Sequence, residues 1–185
     1  DVDMPVLVIG AGACGIVAAL AANEGGAEVL VLERDEIPQG STALSSGMIP
    51  ACNTRLQHTQ GIDDPVELFA ADINRKSQAR ADSDVVDVVC RESGPAVDWL
   101  IERHVIPLKL VDNFLYPGHS VYRMHAPPSK TGAELIGALM NAAEAAGIDI
   151  ITNARVVKLI AAADGTIRGI EIKRPDGTTD RIGCK

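Results

Sequence analysis

Positive charge is scarce in this 185-residue sequence: 17 Lys and Arg stand against 25 Asp and Glu, a formal net charge of −8. That balance argues against a nucleic-acid partner or an anionic membrane surface, since both ask for a clustered positive face. Cysteine is sparse and scattered. Cys14, Cys52, Cys90 and Cys184 form no Cys-x-x-Cys and have no histidine at zinc-ligand spacing, so no metal site is expected. This usage fits a reducing, cytoplasmic setting. Aromatics number 5, so the hydrophobic share of 46% is almost wholly aliphatic. Disorder is excluded, because it needs low hydrophobicity and high net charge. The length suits a single domain, which at this size buries about 70% of its unfolded surface.

A membrane span is also missing. Met4 to Asn23 is a run of 20 uncharged residues, long enough to cross a bilayer. A signal anchor wants positive charge upstream, and Asp1 and Asp3 sit there instead. Pro5, Gly10, Gly12 and Gly15 interrupt the run, and its second half is alanine rather than leucine. It reads as a buried strand, a tight turn and a small-faced helix.

What is present begins with that strand. Val6-Leu7-Val8-Ile9 is apolar and β-branched, the mark of a strand covered on both faces. A helix over Cys14–Asn23 presents Ile16, Val17, Leu20 and Ala21, and Gly25-Gly26 stops it. Glu28 to Leu32 is a second buried strand, closed by Glu33. Strand, helix and strand in ~30 residues make a βαβ unit with parallel strands. Residues 35–62 read as a long irregular loop with one short helix, and a loop of that length in a compact domain is usually functional. Pro65 opens a helix to Ala79, and Ser83 caps another to Glu102, anchored by Val97, Trp99, Leu100 and Ile101. Segment 105–128 reads as loops with short extended pieces. A helix over Thr131–Ala146 follows, then a strand at Asp149–Thr152. Strands at 156–161, 167–173 and 178–184 are joined by Asp164-Gly165 and Asp176-Gly177, strong hairpin signals. The expected fold is α/β, a Rossmann-like parallel sheet with an antiparallel meander attached. The sequence starts at Asp1 and stops at Cys184-Lys185 directly after a strand, the expectation for a fragment of a longer protein.

Gly10-Ala11-Gly12-Ala13-Cys14-Gly15 is a G-x-G-x-x-G in its required setting, after a strand and opening a helix. Gly10 permits the turn, Gly12 lets backbone approach a pyrophosphate, and Gly15 lets helix and strand pack closely. The helix N-terminus supplies N–H groups and a favourable dipole for negative charge. Glu33, 18 positions after Gly15, is placed to accept hydrogen bonds from an adenosine ribose, and its acidity disfavours a 2′-phosphate. A glycine-rich turn that binds nothing is the plain alternative, but it needs none of these partners.

The stretch from Glu33 through Gly40-Ser41-Thr42-Ala43-Leu44-Ser45-Ser46-Gly47-Met48 resembles the flavoproteins of the fumarate reductase and succinate dehydrogenase family. Members carry Gly, a polar residue, Thr or Ser, and small residues ending in Gly-Gly; Met48 replaces the second glycine. Asn53, Gln57, Gly61-Ile62-Asp63-Asp64, Asp82 and Trp99-Leu100 match the soluble fumarate reductase branch, and Tyr122-Arg123-Met124-His125 resembles its Arg-x-His loop. The resemblance covers nearly the whole chain. It implies a glutathione-reductase-like FAD-binding domain spanning 1–185, incomplete, with a capping domain and later segment elsewhere. It implies FAD held by Gly10, Gly12, Ala13, Cys14, Gly15, Glu33, Arg34, Gly40, Ser41, Thr42, Ser45, Ser46, Gly47, Met48 and Val156. Val156 would meet the adenine through its backbone, although a plain strand residue fits that position equally. Ser41 stands where membrane succinate dehydrogenases have a flavin-linked histidine, so the FAD is expected to be noncovalent.

The implied reaction is hydride transfer at flavin N5 that reduces or forms a C=C bond beside a carboxylate or carbonyl. No catalytic residue is assigned within these 185, and the fragment alone is expected to be inactive and to self-associate through exposed apolar surface. Two other readings stay open. One is a 3-ketosteroid dehydrogenase-like enzyme, whose Thr-Ala-Leu-Ser loop is close to Thr42–Ser45. The other is a non-catalytic dinucleotide-binding module. His125 reads as a solvated loop histidine, Cys14 as a packing residue, and Glu67, Asp72, Arg75, Lys76, Arg80 and Asp82 as a wet helix face.

Overall fold

A computed structural model describes residues 3–184; expectations resting on Asp1 and Lys185 lie outside the described residues. In chain order the elements are β1 (Asp3–Met4), β2 (Val6–Ile9), α1 (Ala13–Glu24), β3 (Val29–Leu32), α2 (Gly40–Ala43), β4 (Ile49–Pro50), α3 (Arg55–Thr59), α4 (Val66–Ser77), α5 (Ser83–His104), β5 (Lys109–Leu110), β6 (Met124–Ala126), α6 (Gly132–Ala145), β7 (Asp149–Ile151), β8 (Arg155–Ala161), β9 (Ile167–Lys173) and β10 (Thr179–Cys184). They fall into two compact units, one running to Leu44 and resuming at Ile136, the other comprising Ser45–Leu135.

The first unit is α/β. β2, β3 and β7 form a parallel sheet in that order, with Val6 opposite Val29 and Leu30 opposite Asp149. All four residues of β3 are buried, as a strand covered on both faces must be. α1 buries Ile16, Ala19 and Leu20. The meander β8–β9–β10 is antiparallel, and β1 joins β10 in parallel to make a separate four-stranded sheet. Its inner residues Ile170 and Ile172 close a core with Met4, Leu30, Leu32 and Ala154. Each of the Ile, Leu and Met side chains stabilises the fold by roughly 1.5–3 kcal/mol on burial. The hairpin turns form at the expected dipeptides: Gly165 and Gly177 have φ of +84° and +87°, and Asp164 and Asp176 accept from the N–H two residues on.

In the second unit β4, β6 and β5 make a small antiparallel sheet, with Ile49 opposite His125 and Lys109 opposite Ala126. α4 and α5 enclose Phe69, Val86 and Cys90 together with Cys52. Gly94 in α5 is needed there, because a Cβ would lie 2.1 Å from the Cys52 carbonyl oxygen. Asp82, not Ser83, caps α5; its carboxylate accepts from the N–H of Asp84 and Val85. α4 stops at Ser77 rather than Ala79, because Gln78 and Ala79 adopt left-handed backbone. The stretch read as a loop, 35–62, contains α2, β4 and α3. Of these, α3 is started by a capping box between Thr54 and Gln57.

No helix among the described residues is long and apolar enough to cross a membrane. The uncharged run forms the end of β1, then β2, the glycine turn and nearly all of α1.

Candidate functional site

In the first unit the turn after β2 opens a cleft of about 550 Å³, within the range of small-molecule sites. Gly10, Gly12, Glu33, Arg34, Gly40 and Val156 line it with Ile9, Leu32, Asp35, Ala154 and Arg155. Gly10 takes φ +98°, open only to glycine at low cost, and its N–H donates to the Leu32 carbonyl at 2.7 Å. Gly15 is fixed by packing: a Cβ there would sit 1.9 Å from the Gly10 carbonyl oxygen. Gly12 is different. Its φ of −77° suits any residue, and a Cβ would meet only Thr42 Oγ1, at 3.6 Å. The protein's own packing does not demand glycine at position 12, whereas a ligand drawn against the backbone would.

Gly12 is the N-cap of α1 and, as a glycine, offers no side chain of its own to cap it. Thr42 Oγ1 instead accepts from the Ala13 N–H at 3.0 Å, which ties α2 to the start of α1. Glu33 is 7% exposed and held in place. Its Oε2 accepts from the Ala11 N–H at 2.9 Å and its Oε1 from the Asp35 N–H at 3.0 Å. Each oxygen keeps a further lone pair for a hydroxyl donor. Arg34 is exposed and pairs with Asp35. Ser41 is exposed on α2, and Cys14 is exposed on α1 rather than packed.

Ser45, Ser46, Gly47 and Met48 belong to the second unit. Gly47 has φ +63°, and a Cβ would approach the Thr131 carbonyl oxygen to 2.7 Å, so glycine is required by packing. The Gly132 N–H donates to the Ser45 carbonyl at 2.8 Å. Met48 packs on Val111, Met124 and Ala126, which explains an apolar side chain where relatives of this pattern have a second glycine.

The second unit also holds a buried polar network. Arg123 is wholly buried and grips Asp64 with two bonds, Nη2 to Oδ1 at 2.7 Å and Nε to Oδ2 at 3.1 Å. Its Nη1 lies 2.8 Å from Asp72 Oδ2, and its guanidinium sits 4.5 Å over the Phe69 ring. Gln57 Nε2 donates to Asp64 at 2.8 Å and to the Tyr122 carbonyl at 2.9 Å. His125 Nδ1 lies 3.0 Å from the Arg123 carbonyl and Nε2 lies 3.0 Å from Thr54 Oγ1. Burial lowers the His125 pKa, so the ring is neutral; Nδ1–H donates and Nε2 accepts from Thr54. Burial would raise the Asp72 pKa, but the Ser120 hydroxyl and N–H, Arg75 and Arg123 outweigh it and hold it at about 2.

Two expectations are corrected here. Asp72 is 2% exposed, not on a wet face, because it turns inward to Arg123 and Ser120. His125 is buried on β6, not on a solvated loop. Burial also raises the thiol pKa of Cys52 and of Cys90, the latter to about 11, and Cys52 Sγ donates to the Cys90 carbonyl. Among the described residues no group of three or more His, Cys, Asp or Glu is placed to hold a metal ion. The cleft residues missed from sequence were Ile9, Leu32, Asp35, Ala154 and Arg155. Only their position at strand ends beside the glycine turn could have signalled them.

With this geometry in view, comparison with known proteins decides the family. The FAD binding domain family matches residues 5–183. This chain belongs to that family. It is 34% identical over 182 residues to a probable fumarate reductase of Shewanella frigidimarina, covering 97% of this chain and 30% of that one. It is also 34% identical over 170 residues to a urocanate reductase of Eggerthella lenta, covering 91% and 28%. An open-conformation flavocytochrome c3 fumarate reductase superposes with a TM-score of 0.89 at 32% identity over the whole chain and 33% of the other. The chain therefore spans about a third of the length of its relatives. A 3-ketosteroid dehydrogenase from Rhodococcus jostii, TM-score 0.83 at 24% identity, shares the fold.

Proposed function

We propose that this chain binds FAD noncovalently in an oxidoreductase that reduces or forms a C=C bond next to a carboxylate or carbonyl. The observation that carries this reading is Gly12, a cleft-lining glycine that packing does not require, at the start of α1 in an FAD binding domain. The N-terminus of α1 and the turn from Gly10 to Gly15 would hold the diphosphate. Glu33 would accept from the ribose hydroxyls, and Gly40, Arg34 and the Val156 backbone would flank the adenosine. Ser41 and Thr42 on α2 would complete the first unit's share of the flavin's surroundings.

Flavin, when bound, supplies the hydride chemistry; the protein supplies binding, orientation and exclusion of water. Ser41 is a poor nucleophile beside an imidazole, so no covalent link is proposed. No catalytic group is proposed within these 185 residues. The groups that protonate substrate and hold its carboxylate would come from a capping domain and a later segment. We place the whole protein in the cytoplasm, acting on a small enoate or enone.

The test is reduction of fumarate, urocanate and a 3-keto-steroid enone by the full-length, dye-reduced protein. Turnover of a carboxylate-bearing alkene supports the reading. Turnover of the steroid alone would favour the ketosteroid dehydrogenase-like alternative, and activity on none of these, with no flavin bound, would leave a non-catalytic binding module.

A further inference from the structure

Beside the cleft lies a second, smaller pocket of about 240 Å³ whose wall is mostly cationic: Arg34, Arg155, Lys173 and Arg174 line it with Asn153 and Pro175. Arg34 and Arg155 line both pockets. Such a concentration is unexpected in a chain of net charge −8. Two of the four cations have acidic neighbours, Arg34 with Asp35 and Arg174 with Asp180 at 3.2 Å. Arg155 and Lys173 form no ion pair among the described residues. The register sets them directly opposite each other across β8 and β9. Like charges directly opposed on adjacent strands are destabilising, so the fold spends stability to keep them there.

We propose that this pocket is an oxyanion site for a phosphate-class ligand, either a free polyphosphate or a phosphate group carried on a nucleotide. Several charges and many acceptor oxygens match four converging cations better than a single carboxylate does, and the arginine forks suit bidentate contact with phosphate. An anion between Arg155 and Lys173 would turn a repelling pair into two attractions.

The test is calorimetric titration of the flavin-loaded, full-length protein with tripolyphosphate and, separately, with adenosine 2′,5′-bisphosphate, at matched ionic strength. Binding tighter than about 1 mM by either is expected. Tripolyphosphate binding identifies a free anion as the source; binding of the bisphosphate alone identifies a nucleotide-borne phosphate. Lys173→Gln should weaken binding at least about fivefold, whereas Lys109→Gln should leave it unchanged. Without ligand, Lys173→Gln should melt about one to two degrees higher than the parent, and with saturating ligand the order should reverse. Absence of binding by both anions, equal weakening by Lys109→Gln, or a lower melting point of Lys173→Gln without ligand overturns the proposal. The titration requires no flavin chemistry, so its outcome is separate from that of the turnover assay.

Discussion

The two units handle polar groups in opposite ways. In the first, the polar chemistry is mostly main chain: a helix start whose cap residue is a glycine, further glycines without side chains, and one carboxylate fixed by two N–H groups. In the second, it is side chain and sealed, with Arg123, Asp64, Asp72, Gln57, Thr54 and His125 all buried and mutually bonded. An open cleft keeps hydrogen-bonding capacity in reserve for a ligand, whereas a closed network uses its own up. The first arrangement is the one proposed above to bind flavin. The second fixes structure, and its cost when broken is large because the remaining charges stay buried.

That contrast can be broken most severely at Arg123. Arg123→Met strands Asp64 and Asp72 as buried charges and should cost about 3–5 kcal/mol in denaturant unfolding. A loss under about 1 kcal/mol would mean the network is not a structural clamp. Gly15→Ala comes next, since its Cβ collides with the Gly10 carbonyl. About 1–3 kcal/mol of stability should be lost, and bound flavin with it, measured by unfolding and by absorbance. Stability lost with flavin retained would contradict the role given to the turn.

Acid acts on the second unit through Asp72, whose folded-state pKa of about 2 lies below its ordinary 3.8. Its contribution, on the order of 2 kcal/mol, is therefore present above about pH 4 and is lost as pH falls toward 2. Urea midpoints of the parent and Asp72→Asn should converge over that window, and a gap that stays constant would count against the buried ion pair. Gly12→Ala sharpens the comparison from the other side. Its Cβ meets almost nothing, so unfolding should shift by under about 0.5 kcal/mol while flavin affinity falls about tenfold. Equal effects on both would show that Gly12 serves packing after all.

Local chemistry explains which parts could be read from the sequence. The βαβ unit, the Gly-ended hairpins and the glycine turn announce themselves within a few residues, through apolar runs, Asp-Gly pairs and fixed spacing. Both α4 and α5 were visible, but the cap of α5 fell one residue early, on Asp82, because Asp and Ser are both good caps in sequence. The burial of Asp72 and His125 was not legible. An acidic residue on a polar helix and a histidine before Ala-Pro-Pro look solvated until Arg123, 51 positions from Asp72, is folded beside them. The separate sheet that β1 makes with β10 escaped for the same reason, since its partners are far apart in the chain. Within the cleft, glycines and Glu33 were readable as a motif, whereas Ala154 and Arg155 arrive from the start of a distant strand, β8, and the residue before it.

The most direct measurement is a visible absorption spectrum of the protein from its complete gene, taken before and after acid precipitation. Noncovalent FAD predicts a yellow protein whose flavin passes into the supernatant. Flavin retained in the pellet would contradict the role given to Ser41, and a protein that stays colourless after added FAD would contradict the binding site itself.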